Sequence, residues 1–298
     1  MRKKNSWDKL RISELKMGYS FLMPAVLFIF LFIFVSILYS FYMSFFQWDL
    51  FDLGKVKSFV GVGNYLKTFS DSVFKTSMLN TILLVSVCLI VETVLGFLIA
   101  LTLWTMKRKM RVVQSIILLP MITSPVIVGL IWRYIYDPQF GILNYFLKST
   151  FGISNLAWLG DESLSLLSVM LVDVWQMTPF VILVLFAAMM GMSEDCIEAA
   201  KVDGAGFWQV VRKIIIPFVA PMISFVMLIR SMDLFKIFDT IYVMTKGGPG
   251  YSTETIALYT YKTGFAFYDM GYAMALSIIT LVCIATISII YIKRKRTA

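Results

Sequence analysis

Residues 77–104 read SMLNTILLVSVCLIVETVLGFLIALTLW, twenty-eight residues that carry one charge, Glu92. A bilayer core about 30 Å thick is crossed by roughly 20 helical residues, so this stretch has the length and composition of a membrane span. Five further runs share its character: 19–46, 112–136, 164–192, 214–234 and 270–292. Inside lipid no water satisfies backbone groups, and runs this long lack the alternation of barrel strands, so each is expected as an α-helix. The predicted fold class is all-α, a polytopic membrane protein with six transmembrane helices. The chain as a whole agrees. Its 298 residues, 59% hydrophobic and 15% charged, hold more apolar surface than one soluble core can hide.

Composition also excludes several activities. Histidine is absent, which removes the usual general base, the commonest transition-metal ligand and the Ser/His/Asp triad. Cys88, Cys196 and Cys283 have no paired spacing, so no disulfide framework or thiolate metal site is expected. A G-x-x-x-x-G-K-[ST] phosphate loop is missing, and Gly247-Gly248-Pro249-Gly250 reads as a turn. No catalytic residue, metal or cofactor is therefore expected on this chain, and any ATP and magnesium belong to a partner. The first apolar run is too long for a signal peptide, whose apolar region is about 7–15 residues, and reads as a retained helix.

Cytoplasmic flanks of spans carry the excess of Lys and Arg. With both termini in the cytoplasm, seventeen basic residues fall on inner segments and eight on outer ones, while Arg133 and Arg230 lie in spans. The resulting division is a cytoplasmic N-terminal segment 1–18, a transmembrane domain 19–292 with a cytoplasmic loop at 194–217, and a basic tail 293–298. The net charge of +9 is read as headgroup anchoring by Lys107-Arg108-Lys109 and Lys293-Arg294-Lys295-Arg296, not as a nucleic-acid surface.

The loop at 194–217 contains Glu198-Ala199-Ala200-Lys201-Val202-Asp203-Gly204-Ala205, then Ile214-Ile215-Ile216-Pro217. Its physics reads as helix, turn, helix, with Gly204 at the left-handed C-cap. Beyond it, Phe207, Val210, Val211 and Ile214 recur as an apolar stripe, and Pro217 marks the start of the fifth span. Alanines beside Glu198 keep one helical face thin enough for a partner's groove. An amphipathic helix lying on the membrane surface is the other reading of the same pattern.

At these residues the chain resembles the inner-membrane permeases of ABC importers, whose loop reads E-A-A, three residues, G, nine residues, I-x-L-P. Glu198, Ala199, Ala200, Gly204, Ile214 and Pro217 match at that spacing, with Ile216 in place of leucine. The resemblance implies ATPase docking through these residues and Asp203. It extends to Phe59-Val60-Gly61, Asn64-Tyr65, Asn80-Thr81, Phe238-Asp239, Gly247-Gly248-Pro249 and Gly271-Tyr272-Ala273, and there it is similar to the carbohydrate-uptake, maltose-type branch, first permease of the pair. What this implies is a non-catalytic cell-membrane subunit importing a sugar, an oligosaccharide by preference. The implied partners are a second homologous permease, two cytoplasmic ATPases, an extracytoplasmic solute-binding protein and lipid. A sugar phosphate or other small polar solute is the alternative cargo. A proton-coupled secondary transporter using Glu92 or Asp173 is the alternative mechanism.

A charge at mid-span costs roughly 2.5–3.5 kcal/mol on insertion scales. Glu92 is expected as a protonated or hydrogen-bonded residue at a helix contact. Arg133 and Arg230 are expected to snorkel outward, paired with Asp137 at i+4 and Asp233 at i+3. Sugars are held by aromatic faces and hydrogen-bonding groups, which makes Asp173, Trp175 and Gln176 candidates for the substrate pathway, with Arg230. Asp233, Lys236, Asp239 and Tyr242 continue the fifth run at helical spacing, and Asp233, Asp239 and Tyr242 complete the candidate set. Pro120, Pro125, Pro179, Pro217 and Pro221 are expected as places to bend.

Overall fold

The structure is a computed structural model that describes residues 4–49, 51, 58–106, 111–153 and 156–297. The triplet Lys107-Arg108-Lys109 lies outside the described residues. The all-α expectation holds. Helix α1 (Lys4–Ile29) passes through a π turn (Phe30–Phe34) into α2 (Val35–Met43), and a two-residue strand pair, β1 (Phe46–Gln47) with β2 (Ser58–Phe59), leads to α3 (Gly63–Ser70). There follow α4 (Ser72–Thr105), α5 (Arg111–Ile122), α6 (Pro125–Ile135), α7 (Ile142–Phe151), α8 (Glu162–Met190) and α9 (Glu194–Val202). Next come α10 (Phe207–Val210), a π turn (Val211–Ile215) and α11 (Ile216–Phe235), then α12 (Asp239–Met244), α13 (Ile256–Tyr261), a third π turn (Lys262–Ala266) and α14 (Met270–Thr297).

Among the described residues five helices are long and apolar enough to cross a membrane: Met17–Met43, Ser72–Thr105, Glu162–Met190, Phe207–Phe235 and Met270–Lys293. A sixth candidate is the pair Ser115–Ile122 and Pro125–Ile135, bent by 100°. The run 112–136 was expected as one helix, and this is where the structure departs. Ser124 is extended (φ −57°, ψ 135°), because a following proline excludes the helical region for the residue before it. Of the five prolines expected to bend helices, Pro125 does so. Pro120, Pro179 and Pro221 lie inside continuous helices, and Pro217 is the second residue of α11, one past the residue that follows the π turn.

The chain divides into two compact units. In the first, Met1–Leu66 with Thr263–Ile278, the residues that carried the family resemblance make backbone ties. Asn64 Nδ2 donates to the carbonyls of Ser44 (2.8 Å) and Phe46 (3.0 Å), and the Tyr65 hydroxyl meets Ser44 Oγ at 2.6 Å. Gly271 lets the backbone at Phe46 come so close that any Cβ would overlap its carbonyl, and the Gly271 N–H donates to Trp48 O.

The second unit, Lys67–Lys262 with Ile279–Ala298, is built on α4 and α8, which pack along each other more extensively than any other pair. Lipid supplies no hydrophobic drive between helices, so close contact at small residues holds them. A Cβ on Gly96 would stand 2.5 Å from Val181, so this approach requires glycine. Two apolar clusters result. One joins Leu84, Leu89, Val169, Val174, Leu234, Ile241 and Leu258; the other joins Ala100, Leu101, Val181, Leu185, Ile197, Val211, Ile215 and Val226.

Two further expectations change in this unit. The helix that carries the fifth apolar run begins at Phe207, ahead of the run itself at 214, because α10, the π turn and α11 form one rod of 29 residues. Its far end is shorter than the spacing of Asp233, Lys236, Asp239 and Tyr242 suggested. The helix stops at Phe235, Phe238 leaves the helical region (φ −136°, ψ −57°), and α12 starts anew. Across this unit Asn80 Nδ2 donates to the carbonyls of Tyr251 and Glu254, and Thr81 Oγ1 accepts from the Ile256 N–H. The Gly247–Gly250 turn is thereby tied to the start of α4.

Candidate functional site

The loop between α8 and the rod is shaped by its own sequence. Ser193 caps α9, its hydroxyl accepting from the Asp195 N–H at 3.2 Å. At the other end the Ala205 N–H reaches Ala200 O and the Gly204 N–H reaches Lys201 O, a Schellman stop that needs the left-handed Gly204 at φ +80°. The rod then begins at Gly206, whose N–H is taken by Gln209 Oε1 at 2.9 Å.

One face of α9 is spent on the protein itself. Ile197 is buried and Ala200 half-buried in the apolar cluster that also holds Leu185, Met189, Val210, Val211 and Ile215. Glu198, Ala199, Lys201, Asp203 and Gly204 are exposed, as are Val202 (87%) and Trp208 (70%). Of the two alanines, therefore, Ala199 thins the free face while Ala200 seats the helix. Ile214 is half-buried within the rod, and Pro217 is exposed on it. Of the expected stripe, Val210 and Val211 are buried and Ile214 is half-buried against the same cluster, which Ile215 joins, while Phe207 is exposed.

Between the two apolar clusters lies a layer of charge. Arg230 of the rod donates through Nε to Glu92 Oε2 (2.8 Å) and through Nη2 to Glu92 Oε1 (3.0 Å), and also through Nη2 to Asp173 Oδ2 (2.7 Å). The residues are 3%, 1% and 6% exposed. Arg230 therefore does not snorkel, and Asp233 pairs instead with Lys236 at 3.6 Å. Glu92 is at a helix contact as expected, with a cation as its partner. Desolvating three charges is costly, and a fork of parallel bonds is the geometry that offsets it best.

Arg133 departs from expectation too. Asp137 accepts from the Gln139 and Phe140 N–H groups, and Arg133 Nη1 donates to Val243 O at 3.4 Å. Gln176 is buried and donates to the carbonyl of Thr123, a group that the break before Pro125 deprives of a helical partner. Trp175 is exposed, edge-on to Trp132. Asp233 and Asp239 are exposed, and Tyr242 stacks on Phe238. The seven pathway candidates thus separate into a buried group, Asp173, Gln176 and Arg230, and an exposed group, Trp175, Asp233, Asp239 and Tyr242. The signal that sequence reading missed was stoichiometric: a mid-span arginine and two mid-span carboxylates in three different helices.

Residues 92–296 match the profile of a family described as binding-protein-dependent transport system inner membrane component. The chain is 32% identical to the trehalose/maltose transport system permease protein MalF of Thermococcus litoralis, over 97% of each chain. It is 35% identical to a probable ABC transporter permease protein, y4oQ, of Sinorhizobium fredii, over 90% of this chain and 86% of that one. Its fold superimposes on a chain from a bacterial ABC transporter involved in import of the acidic polysaccharide alginate, with a TM-score of 0.81 and 22% identity over 98% of this chain and 99% of that one.

Proposed function

The chain belongs to the family of inner-membrane components of binding-protein-dependent transport systems, and from that premise we propose that it is one permease of an ATP-driven sugar importer, coupled to a separate ATPase through the face of α9. The observation that carries the docking assignment is the free face itself: a capped nine-residue helix that exposes Glu198, Ala199, Val202 and Asp203 and is braced from behind by Ile197 and Ala200. A surface helix resting on lipid would bury Val202 and Trp208 in the headgroups. A protein groove would take the same apolar pair together with the carboxylate of Glu198.

The sugar assignment is supported by the trehalose/maltose and alginate systems among the relatives. An oligosaccharide is preferred over a sugar phosphate or other small polar solute. The partners follow from the same reading: a second homologous permease, two ATPase subunits holding ATP and magnesium, and a solute-binding protein on the opposite side of the membrane. The permease performs no chemistry. A proton-coupled mechanism would need Glu92 or Asp173 as a free carrier, and Arg230 holds both.

A cysteine at Val202 or Glu198 tests the reading. Cross-linking to a co-purified ATPase in native membranes is expected from either position, and Gly204→Val is expected to lose that cross-link and uptake while still inserting in the membrane. Cross-linking only to lipid-soluble reagents, with uptake intact in Gly204→Val, would overturn it.

A further inference from the structure

Helix α7, Ile142–Phe151, is apolar on both of its sides. Toward the protein it presents buried Asn144 and half-buried Leu143 and Leu147. Away from the protein Ile142, Tyr145 and Phe146 recur at i, i+3 and i+4 and are all exposed, and Phe140, just before the helix, is 89% exposed. A helix that is apolar all round belongs in a core or in lipid, and a contiguous apolar face of this kind marks a contact surface. We propose that this face is a phospholipid site: Phe140, Ile142, Tyr145 and Phe146 seat α7 at the boundary between headgroups and hydrocarbon, in the leaflet at the end of α8 opposite α9.

The helix is clamped in place by its one buried polar side chain. Asn144 Nδ2 donates to the carbonyls of Asp137 (3.3 Å), Pro138 (3.2 Å) and Leu156 (2.9 Å), and Oδ1 accepts from Trp158 Nε1 at 3.0 Å. The turn before α7 is closed so tightly that a Cβ on Gly141 would overlap the carbonyls of Ile135 and Asp137. These ties fix α7 to the end of α6 and to the segment that leads into α8, all within the second unit.

The same segment sets the height of α7. Ser168 Oγ donates to Trp158 O at 3.0 Å, and the Ser168 carbonyl accepts from the Tyr136 hydroxyl at 3.3 Å. Helix α8 has 29 residues and is about 43 Å long at 1.5 Å per residue, the thickness of a bilayer with its headgroups, about 40–45 Å around a core of about 30 Å. Ser168 lies about 9 Å in from Glu162 at the same rise, level with the edge of the hydrocarbon. The segment that carries α7 therefore folds back beside α8 instead of standing clear of the membrane, at the depth that interfacial helices occupy.

The side chains favour lipid over a protein partner. Tyr145 and Lys148, one turn apart and both exposed, join an apolar body to a polar tip, which suits a boundary where hydrocarbon meets headgroups. A soluble protein that docks and departs would leave Phe140 and Phe146 in water whenever it left.

The test introduces the photo-reactive residue p-benzoylphenylalanine at Tyr145 or at Phe146, each an aromatic replacement of an outward side chain, in the full chain co-expressed with its partners. Native membranes are illuminated, and the monodisperse purified permease is weighed by mass spectrometry. Both positions are expected to yield an adduct heavier by one phospholipid, and the same residue at Ser163, exposed on the first turn of α8, is expected to yield none. If one position fails to assemble, Ile142 on the same face replaces it. Adducts to a second permease or to a solute-binding protein in place of lipid, or no adduct at all, overturn the proposal, as does lipid labelling from Ser163 equal to that from Phe146. None of these outcomes bears on the α9 docking reading, which the Val202 cross-link tests separately.

Discussion

The α9 face and the Arg230 ion cluster are built by opposite physics. The first is assembled from residues within one turn or two of each other, is exposed on the chain, and carries charges whose individual pairings are worth about 0–1 kcal/mol. The second joins residues 138 positions apart in sequence, Glu92 and Arg230, and excludes water. There a missing partner costs about 3–5 kcal/mol. A surface proposed to bind and release another protein is served by weak, local and replaceable contacts. A buried cluster that ties three helices together is served by a few contacts that fail sharply.

The largest expected effect breaks the cluster. Arg230→Ala leaves Glu92 and Asp173 buried without their cation and is expected to destabilise the purified permease by about 3–5 kcal/mol, read as a fall in the thermal midpoint in detergent. A smaller loss would mean that water reaches the cluster. Next comes the helix pair that carries the carboxylates: Gly96→Leu drives a side chain into Val181 and is expected to cost about 1–3 kcal/mol by overpacking, visible in the same melt. At the α9 face, Ser193→Ala removes the cap of α9 and is expected to cost about 1 kcal/mol locally, detected as faster amide exchange across Glu194–Val202 with the global midpoint unchanged. A global shift would show that the loop is not the separable, local element that the comparison makes it.

The smallest effect concerns a third buried carboxylate, outside the spans. Glu254 Oε2 is held by Lys262 Nζ at 2.6 Å, while Oε1 is buried without a hydrogen bond. Burial pushes its carboxyl above the ordinary glutamate value, and the Lys262 ammonium opposes that in part. A raised value in the folded chain means that stability is greatest at low pH and falls as pH rises through it. Amide exchange in the 245–262 segment is therefore expected to slow as pH is lowered from neutral toward the ordinary glutamate range, after correction for intrinsic exchange, and Glu254→Gln to flatten that dependence.

What could be read from the sequence follows the same division. Span composition, the Gly204 stop and the Glu198 loop are local patterns, and each appears in the structure within a few residues of its expected place. The Arg230 contacts were assigned to Asp233 because helical spacing is the only proximity that a single sequence displays, and the true partners lie on α4 and α8. Gln176 was read as a pathway residue because nothing in its own helix reveals that α5 and α6 part at Thr123 and leave a carbonyl in need of a donor.

The order of the three charges along the chain has a consequence for biosynthesis. Glu92 and Asp173 are translated before Arg230, so two acidic helices reach the bilayer while their common counter-charge is still in the ribosome. The first helix, with none of its apolar window covered by protein, can be released into lipid as soon as it is made. The acidic helices have no such freedom at a penalty of roughly 2.5–3.5 kcal/mol per charge on insertion scales, and emergence of the rod is the event that lets them settle.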